Sequence, residues 1–282
     1  MGPPPPADEE LLGRYAMAKP ADRAKQARMS VWLDESPNSG TRASRSRRSE
    51  QPSGLDRERI TEATVRLLDA EGLAKFSMRR LAGELGVTAM SVYWYVDTKD
   101  DLLELALDRI FGEMVVPGPQ AVDAGDWRDH VRELAATYRA LIVRHPWCSA
   151  QLGNYLNIGP NSLEFSRAVQ RVIAATGLSL TRQRGAIASV FQFVYGYGTI
   201  EGHFRQRCAD AGMSQDEYFH EAMSAFRVPA EMAEDFRHAE DMRAAAEDGQ
   251  SVEEMRDADF QVALDLLVAG IEALVAQETR TS

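Results

Sequence analysis

Only two cysteines, Cys148 and Cys208, occur in 282 residues, which excludes a disulfide framework and a four-thiolate zinc site and suits reduced thiols. No apolar run approaches the ~18–20 residues needed to span a bilayer, so no membrane span is expected. Met1-Gly2, the proline run Pro3–Pro6 and the acids Asp8, Glu9 and Glu10 lack the basic start and apolar stretch of a signal peptide, and the cytoplasm is the expected compartment. Enzyme signatures are missing too: there is no G-x-S-x-G elbow, phosphate-cradling G-x-x-x-x-G-K-[ST] loop, G-x-G-x-x-G turn or H-E-x-x-H pair. His145 and Cys148 stand three apart beside Pro146 and Trp147, where closing a helix is the simpler role than nucleophilic catalysis. Glu217, His220 and Glu221, and the pair Glu234 and His238, have helical ligand spacing, but solvated acidic helices account for them. No catalytic residue, metal or cofactor is expected.

What is present is an ordinary globular composition, 44% hydrophobic, 8% aromatic and 27% charged, on a chain long enough for two packed units. The formal charge of −11 argues against a surface coated by nucleic acid. It is unevenly spread. Ser36 to Gly54 holds four arginines (Arg42, Arg45, Arg47, Arg48) against Glu50, and Lys75 to Lys99 holds Lys75, Arg79, Arg80 and Lys99 against Glu84 and Asp97. From Val116 onward 15 basic residues face 24 acids, a balance of −9. The N-terminal third can meet a polyanion and the remainder repels one.

Residues 1–54 read as a disordered basic and Pro-rich extension with a short helix over Asp22–Leu33. From Leu55 the apolar period is 3.6 throughout, so the chain is expected to be all-α. Asp56, Ser77, Thr88 and Asp97 or Thr98 are N-cap candidates, and Gly72 and Gly86 are stops. They delimit helices over Asp56–Ala70, from Ser77 to Gly86, over Ala89–Tyr95, and a long one carrying Leu102, Leu103, Leu105, Ala106 and Ile110. Val115–Pro119 breaks the pattern and separates a unit at 55–115 from a helical unit at 120–282. The latter is expected to hold helices over Trp127–Arg144, Pro160–Ala175, Leu180–Arg207 and from Gly249 to about Ala276. One or two short helices or a mobile stretch are expected within Ser214–Glu247.

The segment Ser77 to Val96 is a helix-turn-helix pattern: two short helices joined at Gly86, with Leu81 and Leu85 turned inward and the second helix left as a rod that fits a major groove ~12 Å wide. No acid lies between Thr88 and Val96, which keeps that rod clear for phosphate.

Leu55 to about Met114 resembles the DNA-binding domain of the TetR (tetracycline repressor) family of transcription regulators. The resemblance rests on Glu71-Gly72-Leu73, Ser77-Met78-Arg79-Arg80-Leu81-Ala82, Leu85-Gly86-Val87 and Ser91-Val92-Tyr93-Trp94-Tyr95-Val96, with Lys99 and Leu102-Leu103. It implies that Arg79 reaches a guanine edge, that Ala89, Met90 and Tyr93 approach bases, and that Ser77, Thr88, Ser91, Trp94, Tyr95 and Lys99 hold phosphates. Ala89 and Met90 stand where some members carry more polar residues, so base readout is expected to lean on thymine methyls and DNA shape. The arginine-rich stretch before the first helix is then placed to act as a minor-groove arm.

For the second unit the resemblance implies a ligand-binding and dimerisation domain, the last two long helices pairing with their copies as a four-helix bundle. The final helix offers a seam of Phe260, Leu264, Leu267, Ile271 and Leu274, which either meets a copy or is buried within one monomer, since core and interface stripes look alike in sequence. Trp147, Tyr155, Phe165, Phe191 and Tyr195, with Gln192 and His203, suit a small-molecule cavity, although the same residue types also line ordinary cores. The expected function is a homodimeric repressor that leaves a palindromic operator when an effector binds. The alternatives are a helical adaptor that never meets DNA and, further off, an enzyme acting on small molecules.

Overall fold

A computed structural model of the chain describes residues 30–33, 54–229, 232, 234, 236–237 and 249–281. Most described residues are helical and none is in a strand. The first four helices are α1 (Arg57–Glu71), α2 (Met78–Leu85), α3 (Ala89–Tyr93) and α4 (Lys99–Phe111). Their starts follow local chemistry: the side chains of Asp56, Ser77, Thr88 and Thr98 accept N–H bonds from Arg59, Arg80, Ser91 and Asp101 respectively. Asp101 returns the bond to the Thr98 N–H, completing a capping box. Helix α3 ends at Tyr93 rather than Tyr95, because the chain must turn through Trp94–Tyr95 to reach the Thr98 cap.

The remaining helices are α5 (Pro119–Ala124), α6 (Trp127–Arg144), α7 (Ser149–Leu152) after a 3₁₀ turn at Pro146–Cys148, α8 (Pro160–Ala174), α9 (Leu180–Ala211), α10 (Gln215–Ala225) and α11 (Val252–Thr281). The break at Val115–Pro119 does not lead into a bare linker: Pro119 opens α5, where its fixed φ and missing N–H cost nothing. Helices α9 and α11 outrun the expected ends at Arg207 and Ala276. Of the helix expected over Asp22–Leu33, only Ser30–Leu33 are described, and they form a turn. Residues 1–29, 34–53 and most of 230–248 lie outside the described residues, and with them the arginine stretch and His238.

Helix α4 is the spine of the N-terminal half. It buries Leu102, Leu103, Ala106, Leu107 and Ile110 against α1, whose own inner face is Ile60, Ala63, Thr64, Leu67 and Leu68. In the C-terminal half the most extensive pairing is α6 on α9. A Cβ at Gly198 would stand 3.2 Å from the Ile142 side chain, so glycine there permits the approach of the two helices. Arg139 on α6 is buried between α9 and α11, bonded to Glu201 at 2.7 Å and Asp257 at 2.8 Å and stacked on the Phe260 ring at 4.5 Å.

Of the two fates open to the seam on the last helix, burial within the chain takes most of these residues. Phe260, Leu264 and Ile271 are buried, with Phe260 against Phe193 and Tyr197 of α9. Leu267 and Leu274 are half-buried against the same core. Sequence periodicity cannot say which neighbour fills an apolar stripe. On α9, Ile200 stands exposed to solvent.

Candidate functional site

The helix-turn-helix is built as a rigid corner. Gly86 takes φ 68°, ψ 28°, and its N–H and that of Val87 close back on Gly83 and Ala82. Leu81 and Val92 are fully buried and fix the angle between α2 and α3. This leaves Met90 at 68%, Tyr93 at 44% and Trp94 at 44% exposure. Large apolar and aromatic side chains are thus held in solvent on a helix with no acid, an arrangement that offers flat contact without charge repulsion to a polyanion.

Ser77 and Thr88 cap α2 and α3, and the Thr88 and Ser91 hydroxyls lie 2.9 Å apart at the open end of α3. Ala89 is half-buried beside them. Arg80 is committed to Glu71, with Nη2 2.5 Å from Oε1, and to Glu84. Its neighbour Arg79 is exposed and has no ion pair among the described residues. Arg79 is therefore the guanidinium left for a partner. Two of the expected phosphate-holding groups have internal partners as well. The Tyr95 hydroxyl donates to the Leu55 carbonyl at 2.7 Å, fixing the chain as it enters α1. The Lys99 ammonium donates to the Phe76 carbonyl at 3.1 Å and lies over the Phe76 ring, beside the N-terminus of α2. That N-terminus has no acid in its first turn, so the helix dipole and Lys99 add at one point.

Behind this surface a cavity of about 530 Å³ opens between α6, α8 and α9, within the size range of small-molecule sites. Phe165, Phe191, Gln192 and Tyr195 line it, as the sequence reading expects, joined by Phe111 and Tyr138. Phe111, Tyr138, Phe165 and Phe191 pack with centroids 5.4–6.4 Å apart as an aromatic wall. Trp147, Tyr155 and His203 are not among the lining residues. The Trp147 indole N–H donates to Asp69, Tyr155 packs half-buried against the core, and His203 is exposed on α9. Tyr195 spends its hydroxyl on the Ser149 carbonyl at 2.9 Å.

Tyr138 is one of the lining residues that sequence reading missed. It falls in register with Leu134, Leu141 and Ile142 and so looks like plain core, yet its hydroxyl bonds to no described residue. Burial pushes its pKa up, so it stays a neutral donor.

Two polar ties join the cavity region to α1–α4. Asp108 on α4, buried, accepts from the Ser162 N–H at 2.9 Å and the Asn161 side-chain amide at 3.1 Å, capping α8 from another helix. Ser162 itself lines the cavity. His145, at the end of α6, places Nδ1 2.6 Å from Asp69 of α1 and Nε2 3.1 Å from Glu113 beyond α4. Both ring nitrogens face carboxylates, so both carry protons in the bridged state.

Burial lowers the His145 pKa, but the hydrogen bonds and charges of Asp69 and Glu113 outweigh it and the net shift is upward. A raised histidine stabilises the fold fully below its ordinary value of about 6.5 and loses that contribution as pH rises through the folded value. The expected outcome is that the parent melting temperature falls more steeply between about pH 6 and pH 8 than that of His145→Gln. Parallel profiles would remove the charged bridge. The Cys148 thiol beside it is fully buried and pushed up to about 12, mainly by burial. With both His145 nitrogens occupied, the two do not make a nucleophilic pair.

Two family patterns match this chain: "Tetracyclin repressor-like, C-terminal domain" over residues 119–275, and "Bacterial regulatory proteins, tetR family" over residues 60–106. A protein of Saccharopolyspora erythraea described as "HTH-type transcriptional regulator" is 38% identical over 154 residues, 54% of this chain and 64% of that protein. "HTH-type transcriptional repressor DrrR1" of Streptomyces coeruleorubidus is 32% identical over 165 residues, 58% of this chain and 60% of that one. The chain thus matches less than two thirds of the length of these relatives. Among solved structures, ActR of Streptomyces coelicolor in complex with actinorhodin superposes with a TM-score of 0.60 at 26% identity, covering 79% of this chain and 97% of that one. Apo ActR, at 24% identity, shares the fold with a TM-score of 0.62, covering 80% and 99%.

Proposed function

The chain belongs to the tetracycline-repressor (TetR) family, and from that premise we propose that it is a DNA-binding transcription regulator, a repressor, that acts by binding rather than by catalysis. The observation that carries the reading is the α3 face: Met90, Tyr93 and Trp94 stand out in solvent on an acid-free rod, and the exposed Arg79 of α2 has no ion pair among the described residues. In this reading Arg79 reads a base edge, and Ala89, Met90 and Tyr93 approach bases. Ser77, Thr88, Ser91, Trp94, Tyr95 and Lys99 hold the backbone, Tyr95 and Lys99 while keeping their internal bonds. Such a protein works beside DNA, in the cytoplasm.

A second copy of the chain supplies the second recognition helix. On α9, Gly185, Ala188, Ser189, Gln192, Ile200 and His203 form an outward stripe with small residues in its first half, and on α11 Val262 and Leu266 are 63% and 71% exposed. Two such stripes pairing across a two-fold axis place the heads on successive major grooves. The units are 55–115 for DNA and 120–282 for sensing and pairing.

The effector that fits the cavity is a flat, mostly apolar aromatic molecule, received by the Phe111, Tyr138, Phe165 and Phe191 wall with Tyr138 as hydrogen-bonding anchor. ActR, a neighbour in fold, has been solved with actinorhodin bound, which supports an effector on this chain as well. Displacing α8 would reach α4 through Asp108, so effector and operator compete by their differential affinity for two arrangements.

Selecting genomic fragments with the purified chain and sequencing them tests the reading, and enrichment of one near-palindrome is the expected result. No enrichment over input sinks it. On the selected site Arg79→Ala is expected to cost about 1–3 kcal/mol and relax preference at one base pair. Lys99→Ala is expected to weaken all sequences alike and flatten the salt slope by about one unit, read by competition binding.

A further inference from the structure

Ser30–Leu33 lie outside both stretches that match the family, 60–106 and 119–275, yet they are seated in the body of the protein. The Ser30 hydroxyl donates to Glu104 Oε1 at 2.5 Å, and the Val31 N–H donates to Glu104 Oε2 at 2.8 Å. Val31 is 2% exposed and belongs to the core, and Glu104, on α4, is itself buried. Trp32 is half-buried and shares a cavity with Thr61 of α1, Leu105 and Asp108 of α4, and Pro160 and Asn161 of α8. The segment therefore rests where the DNA-binding helices meet the helix that lines the effector cavity.

We infer that the groove between α1 and α4 is a peptide-binding surface whose occupant is this chain's own Ser30–Leu33, and that the seated segment straps α4 in place. The inference deepens the proposed function, on which its DNA arm rests. Glu104 supports it: a carboxylate in the core needs partners, and the strap supplies both a hydroxyl and an N–H to its two oxygens. Asp108, one turn further along α4, holds α8 in the same way. With the strap seated, α4 is tied on successive turns of one face, through Glu104 to the N-terminal segment and through Asp108 to the sensing unit. Freed of it, α4 gains motion that docking on DNA must remove again, and binding weakens.

The experiment uses the full chain and two variants, Val31→Asp, which puts a charge in the apolar seat beside Glu104, and Trp32→Ala, which removes the ring and introduces none. Amide exchange is followed at residues 30–33, along α4 and at 159–162, and affinity is measured for a duplex selected by the parent. Protected amides at 31–33 in the parent are expected. Both variants should lose that protection, exchange at least tenfold faster at 101–108 and 159–162, and bind the duplex at least fivefold more weakly. A parent that exchanges freely at 31–33 overturns the strap. So do variants that release the segment while α4, α8 and DNA affinity match the parent, and so does a parent whose protection at 31–33 vanishes on dilution to monomer, which assigns the seat to a second copy's segment. If the parent binds no duplex, the proposed function fails and the exchange arm alone decides the strap.

Discussion

Replacing Arg139 by methionine is expected to cost about 3–5 kcal/mol of folding stability, because it leaves the Glu201 carboxylate, 4% exposed, without its cation. Methionine keeps much of the volume over Phe260, so the loss comes from the stranded charge rather than a hole. The sign depends on which partner goes. Removing both charges, as in Arg139→Met with Glu201→Leu, is expected to recover most of the loss, since a buried pair is costly to desolvate and its net worth is small. Urea unfolding of the parent, both single variants and the double variant closes the cycle. Additive losses would mean that Asp257, which also bonds Arg139, is the partner that matters.

The second large effect is on DNA. Tyr93→Glu places an anion on the outward face of α3, where the parent has none between Thr88 and Val96. Like charges brought together at an interface cost several kcal/mol, and about 3 kcal/mol is roughly a hundredfold in affinity. Tyr93→Phe keeps the ring and removes one hydroxyl, and is expected to lose less than about tenfold. Tyr93 is 44% exposed and not part of the buried core, so both variants should fold with parental melting temperatures. Equal binding by Tyr93→Glu and the parent would take α3 out of the interface.

The helix-turn-helix was readable in the sequence because its determinants are local. Asp56, Ser77, Thr88 and Thr98 cap within three residues of themselves, and Gly86 sets the corner by its own φ. The buried charges of α4 were not readable. Asp101, Glu104 and Asp108 sit at positions that a periodicity argument gives to solvent, and all three are buried. The partners of Glu104 and Asp108 come from residues 30–31 and 161–162, and no local pattern announces a bond across fifty or seventy residues.

The cavity divides the same way. Phe165, Phe191 and Tyr195 reach it because they share faces of α8 and α9 that look inward, whereas Trp147 follows Pro146 into a 3₁₀ turn that aims its N–H at Asp69. An aromatic residue type cannot distinguish these two fates. The seam on α11 stayed ambiguous for a related reason: a stripe of four- and three-residue spacing fits α6 and α9 of the same chain as well as it fits a copy.

The measurement that bears most directly on the account is the affinity of the full chain for its selected duplex as a function of salt. Two cations per head, Arg79 and Lys99, on two heads predict that log affinity falls linearly with log salt with a slope of about −4. Tight binding at low salt with that fall, lost in Tyr93→Glu, is the predicted result. No binding at low salt, or binding indifferent to salt, contradicts it.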